Sequence, residues 1–495
     1  MTSLALLAAV LSASPSSLES SVHELTLANG MTWLVVERHD APVFTGFVRV
    51  RVGGADERPG QTGLAHLFEH MAFKGTPVLG TKDWSKEAPL LAEVSRVGDA
   101  LAGLVRAGKG ESDEAKALRL ELSRLTAAHK ALTDENALAR LYQAAGGVGL
   151  NATTDKDLTS YFVSLPRNRL ELWLTVEAQR FAAPVLRDFY AELEVVQEER
   201  LRSIETNPGG ALYEELMQLA FVSSPYRWPT VGYAGDLAAL TMAEAQRFFD
   251  AHYVASNAVG CIVGDVTADE VKALLGRTFA LLPTRPRPPE PVFSEPPSRA
   301  QRTSSVTFDA KPRVMLGFRK PPPPSRDDAL FDVFDVLLGE GSTGRLVQRL
   351  VYRDRLAQAV GTSTGPGSRL DGLFIVSVVP MEGTTVDAVE RAVWDELERL
   401  KREPPDAKEL EKVRNRVTAN FARAGETNAG LASSLSRFQA LLGDWRYVIE
   451  LPRMIESVTP AEVQAAAAKY FVRENSVQVS LAPPAGVGRG EGKPR

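Results

Sequence analysis

Two hydrophobic periods alternate along the chain. Met31-Thr-Trp-Leu-Val-Val36 and Phe47-Val-Arg-Val-Arg-Val52 are spaced as strands, and each half of the sequence also carries several amphipathic helical segments. Strands mixed with amphipathic helices predict an α+β fold in which helices pack on an antiparallel sheet. The stretch from Lys82 to Arg140 reads differently. Leu90, Leu91, Val94, Val97, Leu101 and Leu104, then Leu118, Leu122 and Leu125, recur at helical spacing with charges between them, broken at Gly108-Lys-Gly110. This predicts a helical hairpin inserted into the first half. It is expected to be a solvated arm with an apolar seam, with partner docking or substrate gating as the lesser reading.

The pattern also repeats. A shift of 218 residues lays Leu240-Thr-Met-Ala-Glu-Ala-Gln246 on Val458-Thr-Pro-Ala-Glu-Val-Gln464, and Val254, Asn257 and Val259 on Val472, Asn475 and Val477. Both segments read as a Thr-capped helix, a short turn and an apolar strand. The chain is therefore expected to hold two copies of one α+β module. Between them runs Pro283 to Arg299, where repeated proline excludes helix and central strand and favours an extended linker. The expected organisation is a leader at 1–20, a first domain at 21–282 with the insertion at about 82–140, a linker at 283–304, a second domain at 305–484 and a tail at 485–495.

Composition narrows the chemistry. Against 62 acidic residues stand 57 Lys and Arg, a formal charge of −5, and no basic run is interleaved with aromatics, which argues against nucleic acid as a partner. The longest apolar run, Leu4 to Leu11, is well short of the roughly twenty residues that cross a bilayer, so no transmembrane segment is expected. Followed by Ser12-Ala13-Ser14, it has the layout of a secretory signal, although no Lys or Arg precedes it and Pro15 follows. Export to a periplasm is the expectation, and a cytoplasmic chain with a disordered start the alternative. The lone Cys261 excludes an intrachain disulfide and any Cys-based metal cluster, so a metal must be held by His and carboxylates.

Gly63-Leu-Ala-His66-Leu-Phe-Glu69-His70-Met-Ala-Phe-Lys-Gly-Thr76 carries that chemistry. On a helix, His66 and His70 project from one face a turn apart and can grip one ion, with Glu69 beside them to hold the proton of a metal-bound water. A catalytic zinc held by two His and a water lacks one protein ligand, and a carboxylate is expected. Tyr190 to Arg200 is strongly helical and places Glu192 and Glu199 seven apart on one face. Spacing alone leaves that face equally readable as a solvated acidic surface.

The Gly63–Thr76 run resembles the inverted zinc motif H-x-x-E-H of the pitrilysin and insulin-degrading-enzyme superfamily, most closely the branch of mitochondrial processing peptidase and its bacterial relatives. Asn151-Ala-Thr-Thr-Asp-Lys-Asp-Leu-Thr-Ser-Tyr161 resembles that family's N-A-x-T-x-x-E-x-T-x-Y strand, with Asp157 in place of Glu. The Glu192–Arg200 segment matches its E-x-x-V-V-x-E-E-R helix. Pro225-Tyr226 to Gly232 and Tyr253 to Asp265 resemble the end of its first domain, and Leu338 to Leu346 the start of its second. Only the insertion departs, stretching His70 to Glu199 to 129 residues.

The resemblance implies two homologous domains per chain, the second without zinc, and no histidine follows His252. It implies a zinc endopeptidase with one Zn²⁺ per chain on His66, His70 and Glu199. Glu69 is then the general base and Glu192 a carboxylate that orients a ligand histidine. The strand around Asn151 and Ala152 is expected to bind an extended peptide by strand addition, so that unstructured segments are the substrates. One family feature is missing. Where an Arg and a Tyr seven apart are usual, Val351 and Gln358 stand in this sequence. Either nearby Tyr352 or Arg353 substitutes, or a homologous non-catalytic subunit supplies the pair, and the partner is the favoured reading. The alternatives are a non-enzymatic core or scaffold subunit of the same fold, and a different metal hydrolase. His23, His39, His129 and His252 are expected to be surface or structural, and Cys261 a buried thiol.

Overall fold

A computed structural model describes residues 15–290, 293 and 295–484. The expected leader up to residue 14 and the tail at 485–495 lie outside the described residues. The chain forms two compact units. Among the described residues, one comprises 15–200, 229–290 and 419–450, the other 201–228, 293, 295–418 and 451–484.

In the first unit, strands β1 (Val22–Thr26), β2 (Thr32–Glu37), β3 (Val43–Val50), β4 (Val148–Thr154), β5 (Thr159–Pro166) and β6 (Ala258–Gly264) form one sheet, ordered β1-β2-β6-β3-β5-β4. In the second, β7 (Arg302–Thr307), β8 (Arg313–Lys320), β9 (Ala357–Gly365), β10 (Gly372–Pro380) and β11 (Ser476–Ala482) are ordered β7-β11-β8-β10-β9. Each sheet is antiparallel except for one pair, β2 with β6 and β7 with β11. In both, the last strand returns after a run of helices and inserts between two earlier strands, which sets it parallel to one and antiparallel to the other. The copies are thus alike in topology as well as in sequence. Thr241 with Glu244 and Thr459 with Glu462 close equivalent capping boxes, which satisfy the first N–H groups of each helix.

Membership of the units departs from the linear order. The helix Asn428–Leu442 sets Leu431, Ala432 and Leu435 against Leu34, Val36, Phe47 and Cys261 of the first sheet. Its counterpart in the first copy, Pro208–Ala220, packs on β7, β8 and β11 of the second. Hydrophobic burial is non-directional, so an amphipathic helix covers whichever apolar sheet face fits it. The domain limits expected from the sequence miss this exchange.

On the other face of the first sheet, Trp33 lies 4.8 Å from Phe279 and 6.1 Å from Trp173, ring centre to ring centre. Gly46 and Gly260 make room for these indoles. A Cβ on Gly46 would fall 2.3 Å from the Trp173 ring, and one on Gly260 2.2 Å from that of Trp33. Gly46→Ala is expected to destabilise the first unit by about 1–3 kcal/mol through overpacking, read as a shift in urea unfolding.

The inserted segment is a helical hairpin, Trp84–Arg106 and Asp113–Lys130, capped by Asp83 and Ser112. Val94, Val97 and Leu125 join the first unit's core. Among the described residues, no helix is long and apolar enough to cross a membrane. Cys261 is buried on β6.

Candidate metal centre

The helix Leu64–Met71 buries Leu64, Leu67, Phe68 and Met71 and leaves His66, Glu69 and His70 on its other side. Phe68 stacks on Phe249, with ring centres 5.0 Å apart, which fixes the helix against the core. Its start is tight. Gly63 takes φ 94°, where a side chain would collide with Leu237 and the Val231 carbonyl. With no side-chain cap at Gly63, the N–H groups of Gly63 and Ala65 donate to the Glu57 carboxylate at 3.0 and 2.8 Å. A negative group suits this end of the helix dipole.

Opposite runs the helix Phe189–Arg200. Leu193 and Val196 anchor one face in the core, and Arg200 donates to the Gly232 carbonyl at 2.8 Å. Glu192 and Glu199 share another face. The Glu199 carboxylate lies 3.4 Å from His66 Nε2 and 3.9 Å from His70 Nε2, and one donor atom from each of the three residues falls within 4.8 Å of the others. Two donors each about 2.0–2.1 Å from a tetrahedral zinc are separated by about 3.3 Å. Spacing and chemistry of this His₂-carboxylate set therefore fit zinc. Burial, helped by neighbouring His70, lowers His66 to about 4, so its imidazole is neutral and ready to ligate at neutral pH.

The surroundings are ordered around His70. Its Nδ1 lies 3.2 Å from Glu192 Oε2, and Lys74 Nζ donates to Glu192 Oε1 at 2.5 Å. The His70 hydrogen bond, followed by Lys74, draws Glu192 down to about 2. Glu69 behaves oppositely. Burial raises it above the usual carboxylate range, against the hydrogen bond from the Thr154 hydroxyl. Thr154 ends β4, which among the described residues pairs with β5 alone and stands last in the sheet. Asn151 is exposed on that strand and Ala152 is buried in the core.

The structure brings His66, Glu69, His70, Glu192 and Glu199 together. In the second unit, Val351 packs partly buried on its own core, Gln358 is exposed on β9, Tyr352 is exposed and Arg353 pairs with Asp354. Glu57, Lys74 and Thr154 were not singled out from the sequence. Lys74 lies in the turn that follows the helix, past its end at Met71, and carries no spacing signal toward Glu192. Glu57 sits in a Gly- and Pro-rich loop that gives no sign of its partners.

Comparison with known proteins agrees with this architecture. Residues 34–101 match the model of the insulinase family, peptidase M16, and residues 239–417 that of the peptidase M16 inactive domain. Zinc protease PqqE of Helicobacter pylori is 26% identical over 473 residues, covering 93% of this chain and 93% of that protein. The crystal structure of a protease from Helicobacter pylori superposes with a TM-score of 0.79 at 24% identity, over 93% of this chain and 99% of that one. The periplasmic protease PqqL from Escherichia coli superposes at 0.67 and 16% identity, over 93% of this chain and 47% of that one. With both family models matched in order along the chain, and the two-unit fold shared with solved M16-like structures, the protein belongs to the insulinase family, peptidase M16.

Proposed function

We propose that the chain is a zinc endopeptidase that cuts unstructured peptides or extended protein segments. The observation that carries this is the convergence of one donor atom each from His66, His70 and Glu199, with Glu69 on the same helix face. Bound there, zinc would supply Lewis acidity and make water a nucleophile at neutral pH. Glu69 accepts the proton of the attacking water, and its raised pKa suits it to hold that proton and pass it to the leaving amine. Glu192 fixes His70 through Nδ1, and Lys74 fixes Glu192. The outer edge of β4 accepts substrate backbone as an added strand, which selects extended segments over folded ones.

Because Val351 has no polar group in place of the Arg and Gln358 no phenol hydroxyl in place of the Tyr, full activity is assigned to a complex with a homologous non-catalytic subunit. The apolar start and the periplasmic relative support export. The opposing reading, a scaffold subunit, draws on the inactive-domain match at 239–417. It gives no reason for two histidines and three carboxylates to be drawn together at cost to folding.

The test is cleavage of a mixed peptide pool by the purified chain, with and without a chelator, and again after mixing with a zinc-less homologue that carries the Arg and Tyr. One zinc per chain and chelator-sensitive cleavage, rising sharply on mixing, is the expected result. Full activity of the lone chain overturns the partner assignment, and a zinc-loaded mixture that cuts nothing revives the scaffold.

A further inference from the structure

The inserted hairpin is joined to the metal centre by buried charge. Glu87 on its first helix and His129 on its second are 0% and 2% exposed, as is Arg187, at 2%, just before the helix of Glu192 and Glu199. Arg187 Nε donates to Glu87 Oε1 at 2.6 Å, and His129 Nε2 lies 3.3 Å from the same oxygen. The other guanidinium nitrogens donate to the carbonyls of Lys74, Thr76 and Leu79 at 2.7, 2.8 and 3.1 Å. One cation thus ties the hairpin to the loop that presents Lys74 to Glu192. Three carbonyls and a carboxylate use the planar fork of arginine fully, and lysine could not replace it.

A second contact reaches the glutamate helix itself. Gly98, on the first hairpin helix, lies so close to Tyr190 that a Cβ there would be 2.0 Å from its ring and hydroxyl, and that hydroxyl donates to Asp99 at 3.3 Å. A glycine within a long helix weakens it, so its presence goes with the close approach. Beside Glu192 there is instead a cavity of about 300 Å³, bounded by Lys74 and Glu192 on one side and Thr126 and Lys130 of the hairpin on the other. The hairpin therefore acts through Arg187 and Tyr190, not by pressing on Glu192.

We propose that the hairpin is a brace for the metal centre, with Glu87, Arg187 and Gly98 as positioning residues that hold Lys74, Glu192 and Glu199 in register with His70. This rests on the zinc reading above.

Glu87→Gln and Gly98→Ala, in the full chain, should each weaken Co²⁺ binding by about 10–100-fold, the range found when groups supporting metal ligands are altered, and change its d–d spectrum. Glu93→Gln, at an exposed position on the same helix where Glu93 pairs with the exposed Arg96, should leave both unchanged. Adding Tyr190→Leu to Gly98→Ala should recover affinity by relieving the collision. Hydrogen exchange of residues 72–80 in the metal-free chain should quicken in Glu87→Gln. Folded variants with lowered thermal midpoints but unaltered Co²⁺ affinity and spectrum overturn the brace and leave the hairpin a stabilising element. An unmodified chain that takes up no metal overturns the zinc reading instead, and unchanged exchange at 72–80 then overturns the brace as well.

Discussion

Glutamine at position 69 is expected to lower peptide turnover by about 10³-fold while the chain still binds zinc. The substitution keeps the shape of the side chain and an oxygen to accept from Thr154, but removes the basic lone pair. None of the three candidate ligands is touched, so metal content should match that of the unmodified chain. The size follows from the usual contribution of a positioned acid or base, about 10²–10⁴-fold. The pH dependence gives a second signature. Because Glu69 accepts the proton only when ionised, the limb of the pH–rate profile set by its protonation should vanish in Glu69→Gln. Single-turnover cleavage with metal analysis on the same sample reads both quantities. Near-normal turnover by a zinc-loaded Glu69→Gln enzyme would show that another group takes the proton.

Local chemistry was legible and long-range partners were not. The i, i+4 histidines announce one helix face, and Thr with Glu three residues later announces two helix starts. Those features depend on neighbours within a turn. Glu199 lies 129 residues beyond His70, and only resemblance singled it out, because an acidic helix face has the same spacing whether it meets solvent or two imidazoles. The parallel pairs β2/β6 and β7/β11 were invisible for a related reason. Strand alternation specifies a face, not a neighbour. The exchange of Asn428–Leu442 and Pro208–Ala220 between units is a choice among apolar surfaces of similar character, and binary pattern does not encode it. The hairpin shows the same limit from the other side. Its apolar seam was readable at helical spacing, but Glu87 and His129 look like any polar residues of a solvated helix until Glu87 meets His129 and, from a hundred residues away, Arg187.

Glu57 is the strongest instance of a structural role carried by a residue that the sequence left anonymous, and its removal should cost about 1–3 kcal/mol, as taking the acceptor from buried N–H donors does. It is buried beneath the start of the histidine helix with Lys156, which follows β4 and is also buried. Burial pushes the carboxyl up and the ammonium down, while each charge and two backbone N–H donors offset that burden. The surrounding backbone is stitched as well, since Gly54 and Ala55 donate to the carbonyls of Asp155 and Lys156 at 3.1 and 2.8 Å. Glu57 therefore links the start of the helix that bears His66 and His70 to the turn beyond Thr154. Glu57→Ala removes the cap of that helix and one of the charges that compensates Lys156. Urea unfolding of the metal-free chain should show the loss. Lys156→Met added to Glu57→Ala should recover part of it, because two neutral groups are cheaper to bury than one uncompensated charge. Strictly additive losses would mean that the two charges do not depend on each other. If Glu57→Ala unfolds like the unmodified chain, the cap on the histidine helix contributes nothing, and Gly63 with the packing of Phe68 must alone set where His66 and His70 point.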